Sequence, residues 1–132
     1  MNGKLLRLFA ALAVVFLLTA FGAGAPIYNV TASSIPPNPL ATLENIEKAV
    51  IRAGMQLGWQ IAPQGLGKAE GVLVLRTHRA VVDITYDTKS FSITYKDSVN
   101  LDYKAQDRTI HSNYNGWIQN LEKAIRIQTT VL

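Results

Sequence analysis

The stretch AVVDITYDTKSFSITYK, residues 80–96, decides the fold. Apolar and polar side chains alternate in both halves, a period of two that is typical of strands with one buried face. The polar residues 87–90 separate the halves, and a connection this short joins antiparallel strands. One face of the predicted hairpin carries Ala80, Val82, Ile84, Tyr86, Phe91, Ile93 and Tyr95.

The flanking residues extend this hairpin into a sheet of three to five strands. GVLVLRTH, residues 71–78, alternates in the same way and reaches the hairpin through another short polar connection. Trp59 and Ile61 predict a short first strand that ends at Pro63. Residues 99–103 are expected to add an irregular or edge strand.

Two amphipathic helices are predicted, one on each side of the strands. Thr42 is a suitable N-cap for the first, and Ser112 or Asn113 for the second. Apolar residues recur with helical spacing at Leu43, Ile46, Ala49, Val50, Ala53 and Leu57, and again at Tyr114, Trp117, Ile118, Leu121, Ala124 and Ile125. The pattern predicts one α+β domain over residues 42–132, with an antiparallel sheet in one layer and both helices on one face of it.

The first 25 residues differ from the rest of the chain. They hold 18 hydrophobic residues, two basic residues (Lys4 and Arg7) and no acidic residue. Residues 8–24 would span about 26 Å as a helix, slightly less than the ~30 Å hydrocarbon core of a bilayer. Residues 1–25 are therefore predicted to be an export signal. There are two alternatives: an uncleaved inner-membrane anchor through residues 8–24, and a buried helix of a cytoplasmic protein.

Two triplets in this segment have the small-x-small form of a cleavage motif, residues 20–22 and residues 23–25. Pro26 would directly follow a cut after the second triplet, where proline usually hinders cleavage. Residues 18–21 match a bacterial lipoprotein signal except that Phe21 stands in place of the lipid-bearing cysteine. A lipid anchor is therefore not expected, and the predicted location is the periplasm or the inner membrane.

Residues 26–41 contain four of the five prolines of the chain. This composition predicts a semi-rigid spacer, which could reach about 50 Å in a polyproline II conformation. The alternative is an N-terminal arm that packs along the domain through Ile27, Tyr28 and Val30.

Charge and cysteine content exclude several classes of function. Without the first 25 residues the chain has 11 basic and 9 acidic residues, and this weak excess, without a basic run, does not predict nucleic-acid binding. The absence of cysteine excludes disulfides, thiol catalysis and cysteine-ligated zinc. His78 and His111 do not have a metal-binding spacing, so no metal site is expected. Residues 65–68 lack the full pattern of a phosphate-binding loop, and no cofactor is expected.

A polar cluster on residues 97–103 and 111–114 contains the residue types of a serine hydrolase. Ser98 would be the nucleophile, His111 the base and Asp97 the carboxylate that orients it. The sequence has no Gly-x-Ser-x-Gly elbow, and these residues are equally suited to turns and a helix cap. Asp97, Ser98 and His111 are therefore catalytic candidates for an alternative function only.

A possible partner surface consists of Arg76, Arg79, Tyr86 and Tyr95. Its basic residues would suit an anionic envelope component or an acidic envelope protein. The structural alternative is a solvated sheet surface above an aromatic core.

Four segments carry a resemblance to a known family: RAGMQLGWQI, LRTHRAVVDITYD, SITYKDSVNLDY and IHSNYNGWIQNLEKAI. Together they resemble small uncharacterised envelope proteins of Gram-negative bacteria, most of which are predicted lipoproteins. The most specific segment is Ile-His-x-Asn-Tyr-Asn-x-Trp, residues 110–117. The resemblance implies an exported α+β domain and carries no activity or ligand.

The sequence thus predicts an exported, non-enzymatic binding or scaffolding module of the cell envelope. One alternative is a small hydrolase that uses Asp97, Ser98 and His111. The other is an inhibitor of an envelope-degrading enzyme that inserts the loop of residues 63–71.

Overall fold

A computed structural model describes residues 24–132, so the predicted leader lies outside the described residues except for its last two positions. The elements, in chain order, are β1 (Ala25–Pro26), β2 (Val30–Ser34), α1 (Leu43–Gln56), β3 (Gln60–Pro63), β4 (Lys68–Leu75), β5 (His78–Tyr86), β6 (Ser90–Val99), β7 (Thr109–Ile110) and α2 (Ser112–Gln128).

The main sheet has five strands in the order β2-β6-β5-β4-β3, and every neighbouring pair is antiparallel. β1 and β7 form a separate antiparallel pair. The helices pack against the sheet, which confirms the predicted α+β class. Among residues 24–132, no helix is both long enough and apolar enough to cross a membrane.

The hairpin of residues 80–96 lies at the centre of the sheet as β5 and β6. Ile84 lies opposite Ile93 on the buried face. Asp87 closes the turn, because its Oδ1 accepts hydrogen bonds from the backbone N–H groups of Lys89 (2.7 Å) and Ser90 (2.8 Å). The same two bonds favour the carboxylate and lower the pKa of Asp87.

One extra residue interrupts the pairing near the end of β6. Val82 lies opposite Tyr95, but its neighbour Val81 lies opposite Asp97, so Lys96 is the additional residue. A bulge of this kind bends the strand and increases its twist. It therefore sets the direction in which the chain leaves the sheet and begins the loop of residues 100–108.

The core lies between one face of the sheet and the two helices. Its largest fully buried side chains are Tyr114, Phe91, Ile46, Ile84, Ile93, Leu101, Ile110, Ile118, Leu121, Ile125, Val50 and Val82. They include four residues of the predicted strand face, two of the first helical stripe and four of the second. Leu57 is an exception, because it is the C-cap of α1 and is partly exposed.

The helix caps confirm one prediction and correct another. Thr42 Oγ1 accepts a hydrogen bond from the backbone N–H of Asn45 (3.1 Å), as an N-cap should. The second helix is capped by His111 instead of Ser112 or Asn113. His111 Nδ1 accepts from the backbone N–H of Asn113 (3.1 Å), and Ser112 is already the first helical residue.

The structure corrects the prediction that residues 26–41 form a free spacer. Val30 is buried opposite Ile93, and β2 forms an edge of the main sheet instead of a free linker. The backbone N–H of Ile35 donates to Lys89 O (2.8 Å). The alternative of a packed arm is the one observed for residues 24–35, because their apolar side chains and backbone groups find partners on the domain. Residues 36–41 contain the remaining prolines and lead into α1.

Candidate functional site

The structure does not bring the three hydrolase candidates together. Asp97 and Ser98 lie at the end of β6, and the hydroxyl of Ser98 hydrogen-bonds to that of Tyr95 (2.8 Å). His111 uses Nδ1 as the cap of α2. Within residues 24–132 no hydrogen bond joins His111 to Ser98 or Asp97, so the triad geometry is not formed.

The four residues of the predicted partner surface do not share one surface. Arg76 lies exposed in the β4–β5 turn, and Arg79 is exposed on the sheet face opposite the helices. Tyr86 is only 6% exposed, and its hydroxyl donates to Glu47 Oε2 of α1 (3.1 Å). Tyr95 also belongs to the helix-covered face, because side chains alternate along a strand.

Burial dominates the chemistry of Tyr86. The loss of solvent around its hydroxyl, with the hydrogen bond to Glu47, raises its pKa to about 12. Tyr86 therefore stays protonated and serves to join α1 to the sheet.

The described residues contain a pocket of about 630 Å³ where β6 ends. We call it the tyrosine pocket. Its lining consists of Tyr95, Lys96, Asp97, Ser98, Asn100, Leu101, Asp102 and Tyr103. It is a depression that opens broadly to solvent, with a volume comparable with that of small-molecule sites.

Three aromatic rings support the tyrosine pocket. The rings of Tyr95 and Tyr103 stack, with centroids 4.2 Å apart and an angle of 27° between planes. The buried ring of Tyr114 meets Tyr95 edge to face at 5.7 Å. Desolvation raises the pKa of Tyr95, so its hydroxyl remains a neutral hydrogen-bonding group. The aromatic wall is therefore anchored in the core.

The loop that closes the tyrosine pocket has an uncommon backbone. Asn100 and Asp102 have φ values of 58° and 51°, in the left-handed region that asparagine and aspartate adopt more readily than most residues. A side chain held there costs about 1 kcal/mol or more, and such positions cluster at functional sites. These two φ values fix the path of the loop along the pocket.

Side-chain hydrogen bonds hold the loop in this conformation. Asn100 Nδ2 donates to Thr77 Oγ1 (2.7 Å), and His78 Nδ1 donates to the backbone oxygen of Asn100 (2.7 Å). The backbone N–H of His111 donates to Leu101 O (2.8 Å). The loop is thus tied to the β4–β5 turn on one side and to α2 on the other, which makes the pocket preformed.

The charges at the tyrosine pocket are unevenly paired. Lys96 Nζ lies 2.6 Å from Glu70 Oε2 and 3.7 Å from Asp83 Oδ1. Asp97 and Asp102 are exposed, and neither has an ion-pair partner within residues 24–132. The lining therefore has an excess of negative charge.

The segment at residues 110–117 has a structural role in this fold. Ile110 and Tyr114 are buried, and His111 caps α2. Asn115 Oδ1 accepts from the backbone N–H of Tyr28 (2.9 Å), and its Nδ2 donates to the backbone oxygen of Pro26 (2.8 Å). The Asn115 side chain thus pairs with a backbone N–H and a backbone oxygen of the N-terminal arm, as a neighbouring strand would do.

A second polar contact between α2 and the arm could not be read from the sequence. Glu122 accepts from the hydroxyls of Tyr28 (2.6 Å) and Ser33 (3.2 Å), and Arg126 donates to Glu122 (2.7 Å). The spacing of Glu122 and Arg126 predicts only their own i,i+4 pair. The arm residues are too distant in the chain to give a local signal.

Comparison with protein-family models, curated proteins and solved structures finds no match to this chain. The resemblance to Gram-negative envelope proteins therefore stays a prediction. Among residues 24–132, no group of three or more histidine, aspartate or glutamate side chains is placed to hold a metal ion.

Proposed function

We propose that this protein is an exported, non-enzymatic binding module of the cell envelope, with the tyrosine pocket as its ligand site. The leader pattern of residues 1–25 supports export, to the periplasm or to the outer face of the inner membrane. The observation that carries the binding function is the preformed pocket, in which an aromatic wall faces several polar groups at the end of a bulged strand.

The contacts at Ser98 and His111 favour binding over hydrolysis. The hydroxyl of Ser98 faces that of Tyr95, a neutral group that cannot act as a strong base. His111 uses a ring nitrogen to cap α2, a role in which the imidazole supports the fold. Both residues stabilise the walls of a site, as a binding protein requires.

Cell fractionation with N-terminal sequencing and intact mass tests the first half of the proposal. We expect the protein in the envelope fraction, either without its leader or with the leader retained as an anchor. Recovery of the full-length chain in the cytoplasm would contradict export.

Photo-cross-linking tests the second half of the proposal. A benzophenone amino acid at Tyr103 is expected to form an adduct of defined mass in the envelope, whereas the same probe at Asp107 should not. Asp107 is a matched control, because it is exposed in the same loop but does not line the pocket. Equal labelling from both positions would count against the pocket as the site.

A separate observation favours a second candidate, inhibition of an envelope-degrading enzyme. Leu66 is 87% exposed at the tip of the β3–β4 turn, between two glycines with positive φ. An exposed apolar side chain on a narrow turn could insert into an enzyme cleft. Under this alternative, Leu66→Ser abolishes co-purification with the enzyme and Tyr103→Leu leaves it intact. Under the proposed function, Tyr103→Leu weakens binding of the pocket ligand and Leu66→Ser leaves that binding intact.

A further inference from the structure

We propose that the tyrosine pocket binds an organic cation, a ligand that presents a primary or quaternary ammonium group. This inference rests on the proposed function, because it names the ligand class of the same site. It is argued from the charge of the lining, the aromatic pair and the size of the pocket.

The charge of the lining favours a cation over an anion. Asp97 and Asp102 lie on the lining without ion-pair partners in the described chain. Lys96 is the cationic residue of the lining, and the carboxylates of Glu70 and Asp83 neutralise its ammonium group. A concave surface with an excess of one charge raises the local concentration of ligands of the opposite charge.

The aromatic pair provides a second, independent attraction for the same group. The face of a tyrosine ring attracts an ammonium group within about 6 Å of its centroid, and quaternary ammonium ligands are recognised in this way. Tyr103 lines the pocket, is 38% exposed to solvent and is held in place by stacking on Tyr95. Aspartate beside tyrosine is therefore suited to an ammonium group that carries apolar substituents.

The size and ligand count of the pocket favour an organic cation over a bare metal ion. A pocket of about 630 Å³ is far larger than one ion requires. Calcium takes six to eight oxygen ligands, whereas Asp97 and Asp102 are the only carboxylates in the described lining. The hydroxyls of Tyr95 and Ser98 bond to each other and add a polar edge for hydrogen bonds to the ligand.

The experiment compares two probes of nearly equal shape. The mature protein, labelled with nitrogen-15, is titrated with choline and with its neutral isostere 3,3-dimethylbutan-1-ol over the same concentration range. Choline is expected to shift the amide signals of Ser98, Asn100 and Tyr103, and the isostere is not. Added salt should weaken the choline response, since exposed charges are screened.

Variants separate ligand contact from structural damage. Tyr103→Leu should weaken choline binding about twofold to fivefold, the strength of an exposed cation–π contact, while Tyr103→Phe keeps the ring and the binding. The double variant Asp97→Asn, Asp102→Asn should weaken it by about twofold or more, because it removes both carboxylates. Asp107→Asn is the matched control and should leave binding unchanged.

A third probe distinguishes the source of the ammonium group. A larger response to Nα-acetyl-lysine methylamide than to choline assigns it to a basic peptide side chain, and the reverse order assigns it to a small quaternary amine. Equal and measurable shifts with choline and its isostere would overturn the ligand class but keep the pocket as a binding site. A response from none of the three probes would also overturn the ligand class, while cross-linking from Tyr103 still decides the proposed function.

Discussion

The backbone N–H of Tyr28 donates to Asn115 Oδ1 at 2.9 Å, a contact between residues 87 positions apart in the chain. The amide group of the same side chain donates to the backbone oxygen of Pro26. One asparagine therefore satisfies two backbone groups of the N-terminal arm. This contact makes the arm part of the domain, and the tyrosine pocket lies on the same unit.

We predict that Asn115→Ala loosens the arm. The loss of two hydrogen bonds, each worth about 0.5–1.5 kcal/mol, should lower the free energy of unfolding by about 1–3 kcal/mol. Hydrogen exchange at the Tyr28 amide should become faster than in the parent protein. Asn120→Ala is the control, since Asn120 is exposed on the same helix. Unchanged protection of Tyr28 in Asn115→Ala would show that this contact does not hold the arm.

We predict that substitution by alanine changes the stability of the protein in opposite directions at two glycines, Gly67 and Gly116. Gly67 has a φ of 73°, and a Cβ there would lie 2.7 Å from the backbone oxygen of Tyr86. Gly67→Ala should therefore destabilise the protein by more than about 1 kcal/mol, from backbone strain and this close approach.

Gly116→Ala should instead stabilise the protein by up to about 1 kcal/mol. Gly116 lies within α2, and no atom is within 4 Å of the position that a Cβ would take. Alanine is the better helix former. Chemical denaturation of both variants measures the difference, and a destabilised Gly116→Ala would contradict the helix environment described above.

We predict that the protein loses stability at alkaline pH because of Tyr86. Its pKa is raised from 10.0 to about 12 by burial and by its hydrogen bond to Glu47. The unfolded chain then releases this proton before the folded chain does, so the contribution of Tyr86 is complete below pH 10 and is lost as pH rises towards 12.

The matched substitution is Tyr86→Phe, compared with the parent protein by chemical unfolding at a series of pH values. We expect the phenylalanine variant to lose less stability over this alkaline interval. It should also be less stable at neutral pH, because the bond to Glu47 is gone. An identical alkaline slope for the two proteins would show that Tyr86 does not titrate in this way.

The pairing of the N-terminal arm also favours one of the two candidate cleavage sites of the leader. Ala25 pairs with Ile110 in β1, so a cut after Ala25 would remove a strand residue of the folded domain. A cut after residues 20–22 leaves Gly24 and Ala25 in place and avoids Pro26 at the new terminus. We therefore expect Ala23 as the first residue of the processed protein.

N-terminal sequencing of Gly22→Tyr and Ala25→Tyr checks this prediction, since cleavage needs a small residue before the cut. Gly22→Tyr should block processing, and Ala25→Tyr should permit it. A mature chain that begins at Pro26 would contradict the assignment.

The sequence predicts the central sheet well because its signal is local. Alternation over residues 80–96 with a short turn is sufficient for the hairpin, and Thr42 identifies the start of α1. The arm is different. Its prolines suggest a free spacer, whereas Val30 and Tyr28 are fixed by residues more than sixty positions away. Such pairings leave no periodic pattern in the arm itself.

The candidate site was only partly predictable for the same reason. The polar cluster of residues 97–103 coincides with the loop that lines the tyrosine pocket, where asparagine and aspartate have positive φ values. Its chemistry depends on the bulge at Lys96 and on the stacking of Tyr103 against Tyr95, which are tertiary features. Tyr86 is a candidate for a partner surface by residue type, but its alternation with Ile84 puts it in the core.

The central claim, that the tyrosine pocket is the ligand site of an envelope protein, is tested most directly by NMR titration of the mature protein with a soluble envelope extract. We predict amide shifts confined to the signals of residues 95–103, abolished or weakened in Tyr103→Leu and retained in Asp107→Asn. Shifts centred on the turn around Leu66, or equal shifts in Tyr103→Leu, would contradict the claim.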